Sequence, residues 1–130
     1  MKTHESKGYT LVELMVVVAL IGIVASIAIV SYIAIMDETY RGQAISDLNV
    51  CSMELGRYYE NDYTYVGARI DGSDDFLCPN KSPASGAAQF DLSLEAATAS
   101  SFILQATPAG GGACQGKCIQ LDADNTIREL

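Results

Sequence analysis

Leu14–Met36 is an unbroken run without a charged side chain. At about 1.5 Å per helical residue it spans roughly 35 Å, against roughly 30 Å for the hydrocarbon core of a bilayer. A chain of 130 residues makes one small domain. A small domain has no interior able to hide a helix that is apolar on every side. The run is therefore read as a membrane-crossing helix. A secretory signal has a shorter apolar region, about 7–15 residues, with its cleavage site behind it. Here Asp37 and Glu38 follow the run and make no such site, and the small residue, Gly8, stands in front. Lys2 and Lys7 precede the span, while Asp37, Glu38 and Asp47 accompany Arg41 beyond it. The positive-inside rule then puts the N-terminus in the cytoplasm and the remainder outside.

The helical pattern starts at Thr10 and meets no clear stop until Asn61-Asp62. No proline interrupts it, and Gly22 and Gly42 weaken it by about 1 kcal/mol each relative to alanine. Beyond Met36 the helix turns amphipathic: Ala44, Leu48, Cys51, Leu55, Tyr58 and Tyr59 recur at three- and four-residue spacing. Arg41, Asp47, Glu54 and Arg57 fall largely off that stripe. Residues 62–88 carry turn signals, among them Asp71-Gly72-Ser73, Pro79-Asn80 and Ser82-Pro83. Alternating segments follow at Phe90–Glu95, Phe102–Thr107 and Ile119–Asp122, with Pro108–Gly112 as a flexible turn and Thr126-Ile127 as a further edge segment. The expected class is α+β: a long N-terminal helix, apolar then amphipathic, whose second half is covered by a small antiparallel sheet of three to four strands. The expected division is a polar leader at 1–8, an apolar half-helix at 9–36 and an external globular domain at 37–130.

All four cysteines lie beyond the span, at Cys51, Cys78, Cys114 and Cys118. In a translocated small domain an even number reads as two disulfides. Zinc is the rival, but Cys114 and Cys118 have no second ligand pair, and the only histidine, His4, lies in the leader. Cys51 sits on the inward face of the half-helix and Cys78 in the connector that must fold back over it. Cys114 and Cys118 flank a Gln-Gly-Lys turn. The expected pairs are Cys51–Cys78 and Cys114–Cys118. The first closes a loop worth about 3 kcal/mol in the chain-entropy model.

The segment Gly8-Tyr9-Thr10-Leu11-Val12-Glu13-Leu14-Met15, with the apolar run behind it, resembles the type IV prepilin signature. The resemblance implies cleavage after Gly8 by a prepilin peptidase, N-methylation of Tyr9 and polymerisation through the apolar helix. Tyr9 stands where the family usually has phenylalanine. Glu13 matches the family's glutamate at the fifth mature position, whose partner is the N-terminal amine of a neighbouring subunit; a carboxylate at the start of a membrane helix calls for such a partner. Thr10 and Glu13 also fit a capping box, and one side chain can serve both ends. Val30 replaces a proline common in type IV pilins, so this helix should stay straighter; that weighs against a major-pilin role and leaves minor pilin and pseudopilin open. Cys51–Ala68, Phe102–Pro108 and Cys118–Asp122 are similar to a subfamily of small minor pilins, and residues 69–88 match least.

The expected function is a structural subunit, a minor pilin held in the bacterial inner membrane and then carried into an extracellular pilus. Its partners would be the prepilin peptidase and other pilin subunits, with no enzyme activity, no metal and no cofactor. A pseudopilin of a type II secretion system shares the leader logic and would draw on Asp122 and Asp124 as a calcium pair, although solvated turn residues explain them better. Asp71, Asp74 and Asp75 carry the same caution. A plain single-span membrane protein is a further alternative. A DNA-binding receptor pilin ranks low: leader removal takes away two bases and one acid, moving the formal net charge from −8 to −9. That balance argues against broad attraction to DNA. Only a local patch from Arg69, Lys81 and Lys117 would serve. Tyr58, Tyr59, Tyr63 and Tyr65 are expected to pack the helix end against the connector.

Overall fold

The structure, a computed structural model, describes residues 8–70, 78–111, 114 and 116–130. One helix, α1, runs Leu11–Asp62. Five strands follow: β1 Lys81–Ser82, β2 Phe90–Ala97, β3 Phe102–Pro108, β4 Ile119–Asp122 and β5 Ile127–Glu129. The chain forms two compact units, Met1–Asp37 and Glu38–Leu130.

In the first unit α1 is free of charge and exposed on every side from Leu14 to Ile35. By length and composition it is able to cross a membrane. Ser26 and Ser31 turn their hydroxyls onto the Ile23 and Ile27 carbonyls of their own helix, which satisfies polar groups that hydrocarbon could not.

In the second unit the amphipathic stripe becomes the core. Ala44, Leu48, Cys51 and Leu55 of α1 are buried against Leu92, Phe102, Leu104, Ala106, Ile119 and Leu121 of the sheet. The strands lie in chain order, β1-β2-β3-β4-β5, each antiparallel to the next. The sheet is an up-and-down meander of five strands packed on one long helix. It has one strand more than the three to four expected. β1 is two residues long inside the turn-rich connector, too short for any alternation to show in sequence. β5 extends the edge segment to Glu129.

Arg41 and Asp47 do not stand off from the packed side of α1 as the pattern suggests; both are half-buried. Arg41 makes an ion pair with Glu129 of β5. Asp47 takes a hydrogen bond from the fully buried Ser82 hydroxyl of β1 at 2.6 Å and another from the Gln43 side-chain amide at 3.0 Å. The connector is thus held to the helix by a polar contact as well as by the Cys51–Cys78 disulfide.

At its C-terminal end α1 stops at Tyr63, whose φ of 55° leaves the helical region. Tyr59 stacks on Tyr65 with ring centroids 4.8 Å apart, and Tyr65 meets Phe102 edge-on at 5.0 Å. The tyrosines pack the helix end onto the connector and the start of β3, with Tyr63 left exposed.

Candidate functional site

Two regions concentrate polar chemistry. The first is the start of α1. The Thr10 backbone N–H and hydroxyl both donate to Glu13 Oε2, at 2.9 and 3.0 Å, and the Glu13 N–H donates back to Thr10 Oγ1 at 3.3 Å. This is a complete capping box, satisfying donors that a helix start leaves open. Tyr9, directly before it, is 89% exposed, and Gly8 is exposed with no heavy atom near the position of an added Cβ.

The second region is the sheet surface turned away from α1. In β3, Phe102, Leu104 and Ala106 are buried, so Ile103, Gln105 and Thr107 face outward. The strand registers extend this face across the sheet. Lys81 pairs with Asp91, and Asp91 with Thr107. Ser93 pairs with Gln105, Gln105 with Gln120, and Gln120 with Arg128. Its centre is therefore a row of hydroxyl and amide side chains without charge. The Gln120 amide donates to Gln105 Oε1 at 2.7 Å, and the Gln105 amide meets Cys114 Sγ at 3.8 Å. Cys114, bonded to Cys118, thereby reaches this same face, and the Lys117 N–H donates to the Cys114 carbonyl. Cys118 is fully buried and exchanges backbone hydrogen bonds with Leu130.

Three of the described cations have acidic partners: Arg41 with Glu129, Arg57 with Glu54 and Arg128 with Asp122. Arg69, Lys81 and Lys117 have no ion pair among the described residues, and all three are exposed. Arg69 lies between Ala68 and Ile70, which both pack on the core, so its side chain is left to solvent.

At one end of the outer face the turns 98–101 and 122–126 bound an open groove of about 490 Å³. Ile103, Gln120, Asp122 and Arg128 line it together with Ser100. Asp122 is a turn residue. One oxygen accepts the N–H groups of Asp124 and Thr126, and the other faces Arg128 at 3.5 Å. No group of metal-ligating side chains occurs among the described residues. Asp71, Asp74 and Asp75 lie outside the described residues. The outer amide row and its groove had no signal in sequence reasoning beyond strand alternation, because which polar residues share a face depends on register.

Comparison with known families decides the class. Residues 30–122 match the family described as type IV minor pilin ComP, DNA uptake sequence receptor. The chain belongs to this minor pilin family. Residues 4–29 of the pilin match the prokaryotic N-terminal methylation motif, which implies processing by a prepilin peptidase. Its fold resembles the crystal structure of the Neisseria meningitidis non-core minor pilin PilV, with a TM-score of 0.52 at 19% identity, covering 73% of this chain and 87% of that one. No curated protein matches it. The pilin is therefore a structural, non-enzymatic subunit that passes from a membrane into a pilus, with a hydrophobic N-terminal helix and two disulfides. The expected reading as a minor pilin stands, and the pseudopilin alternative gives way to it. The low rank given to DNA is corrected: the family that covers most of the chain is described by a DNA receptor. Net charge sums the whole surface and does not report local charge, so it is no ground for that low rank.

Proposed function

We propose that this minor pilin is a DNA-receptor subunit of its pilus. The observation that carries the reading is the family match over residues 30–122, which takes in the strands and the Cys114–Cys118 turn. The three cations with no ion pair among the described residues support it. Lys81 lies on the outer sheet face, which Cys114 of the turn bearing Lys117 also reaches, and Arg69 is exposed on the connector. Phosphate contacts of this kind supply affinity without reading sequence.

Assembly rests on the other end of the chain. The peptidase cuts after Gly8, so that residues 1–8 are lost and Tyr9 becomes the methylated N-terminus. The half-helix 9–36 spans the inner membrane with its N-terminus in the cytoplasm, then joins the apolar helices of other pilin subunits. The globular part, 37–130, is carried outside. Glu13 meets the Tyr9 amine of a neighbouring subunit, and its capping box holds the carboxylate at the helix start until that partner arrives.

Fluorescence anisotropy of the full-length chain in detergent, with duplex DNA across a salt series, tests receptor function. Three phosphate contacts give a slope of log affinity against log salt near about −2.7, a loss of roughly 40-fold between 50 and 200 mM salt. Replacing Arg69, Lys81 or Lys117 by alanine lowers the slope by about one each. Absence of salt-sensitive binding removes the receptor reading and leaves the assembly role intact.

A further inference from the structure

Phosphate-binding cations cannot tell one sequence from another. On the outer face the residues beside them are of the other kind, neutral groups with both donors and acceptors. Gln120 is the best placed. It has given one amide N–H to Gln105 Oε1 at 2.7 Å, and it lines the open groove. Among the described residues its second N–H and its carbonyl oxygen have no protein partner. One donor beside one acceptor is the complement of adenine in the major groove, where N7 accepts and the N6 amino group donates. Guanine presents two acceptors there, so the Gln120 oxygen would face O6 unfavourably.

Ile103 lies diagonally beside Gln120 on the same face. Ile103 pairs with Asp122 and Gln105 with Gln120, which sets the two side chains about 7–8 Å apart at their backbones. Both line the groove. Ile103 is 36% exposed and is the aliphatic side chain of that outer row. An apolar group at this spot suits the thymine 5-methyl, which shares the major-groove edge with adenine's N6 and N7.

We propose that Gln120 and Ile103 read one A·T base pair, which makes them specificity residues of the site; this rests on the DNA-receptor reading. The acids tell which way the duplex lies. Asp122 and Asp124 stand at the β4–β5 end of the groove, so the phosphate backbone runs on the side of Lys81 and Lys117. The amide pair is set in advance, because Gln105 is held by both Gln120 and Cys114, and a fixed reader loses less entropy on binding.

The test is selection from a random-sequence duplex library on the full-length chain in detergent, for the natural chain, Gln120→Ala, Ile103→Ala and Lys117→Ala. The natural chain enriches a motif containing an A·T pair. Gln120→Ala loses preference at that pair by on the order of tenfold, and Lys117→Ala weakens every sequence evenly while keeping the motif. Base analogues then probe the unaltered protein, which keeps the test independent of folding. Replacing that adenine by 7-deazaadenine weakens the natural chain and leaves Gln120→Ala unchanged. Replacing the thymine by uracil weakens the natural chain and leaves Ile103→Ala unchanged. An identical motif from Gln120→Ala, or indifference of the natural chain to both analogues, overturns the inference while the receptor reading survives. Binding with no motif also overturns the inference alone, and failure to bind any DNA removes both.

Discussion

Asp47 accepts a hydrogen bond from the hydroxyl of the fully buried Ser82, a partner 35 residues away along the chain that no local pattern encodes. Asp47→Ala leaves the Ser82 hydroxyl buried without an acceptor, at a cost of about 1–3 kcal/mol. Ser82→Ala costs less, because Asp47 is only half-buried and keeps Gln43. Chemical denaturation of the two variants and the double checks this, and the double should fall short of the sum. Gly67 is legible only in the structure too. Its φ of +95° and the Tyr58 hydroxyl, 3.3 Å from an added Cβ, mean that Gly67→Ala destabilises by about 1–2 kcal/mol, seen as a lowered denaturation midpoint.

At the scale of elements, α1 could be read from the sequence almost to the residue, since 3.6-residue periodicity is a strong signal and proline is absent from it. β2, β3 and β4 were legible through alternation. β1 was not, because a two-residue strand exists only by pairing with β2. The outer face was legible residue by residue but not as a surface: Ser93, Gln105, Gln120 and Arg128 become neighbours only through register. The disulfides act at this scale. Cys51–Cys78 closes a sequence separation of 27 and Cys114–Cys118 one of 4. In the chain-entropy model their loss costs about 3.5 and about 2 kcal/mol respectively. Paired serine variants should therefore differ in function more than in stability. Cys114→Ser with Cys118→Ser loosens the turn that carries Lys117 and weakens DNA binding, while Cys51→Ser with Cys78→Ser lowers the melting midpoint more. Anisotropy and thermal melts of the two pairs provide the comparison.

The whole molecule joins two kinds of surface in one chain. Leu14–Ile35 is free of charge and exposed throughout, which is tolerable only in lipid or among like helices. The unit from Glu38 onward has its own core and a polar outer face. Glu13→Val should leave peptidase cleavage intact, because Gly8 and Tyr9 are unchanged, and should lower the pilin's share in sheared filaments several-fold, since the carboxylate proposed to meet a neighbour's amine is gone. Immunoblots of sheared pili against membranes measure that share, and undiminished filament content would reduce Glu13 to a helix cap. The central claim is that this chain works as a processed subunit of a filament. Intact-mass analysis of the protein recovered from sheared pili tests it most directly. The account predicts a chain beginning at Tyr9 with one added methyl group. A chain that still carries Met1–Gly8, or one found in the membrane and never in the filament, would contradict it.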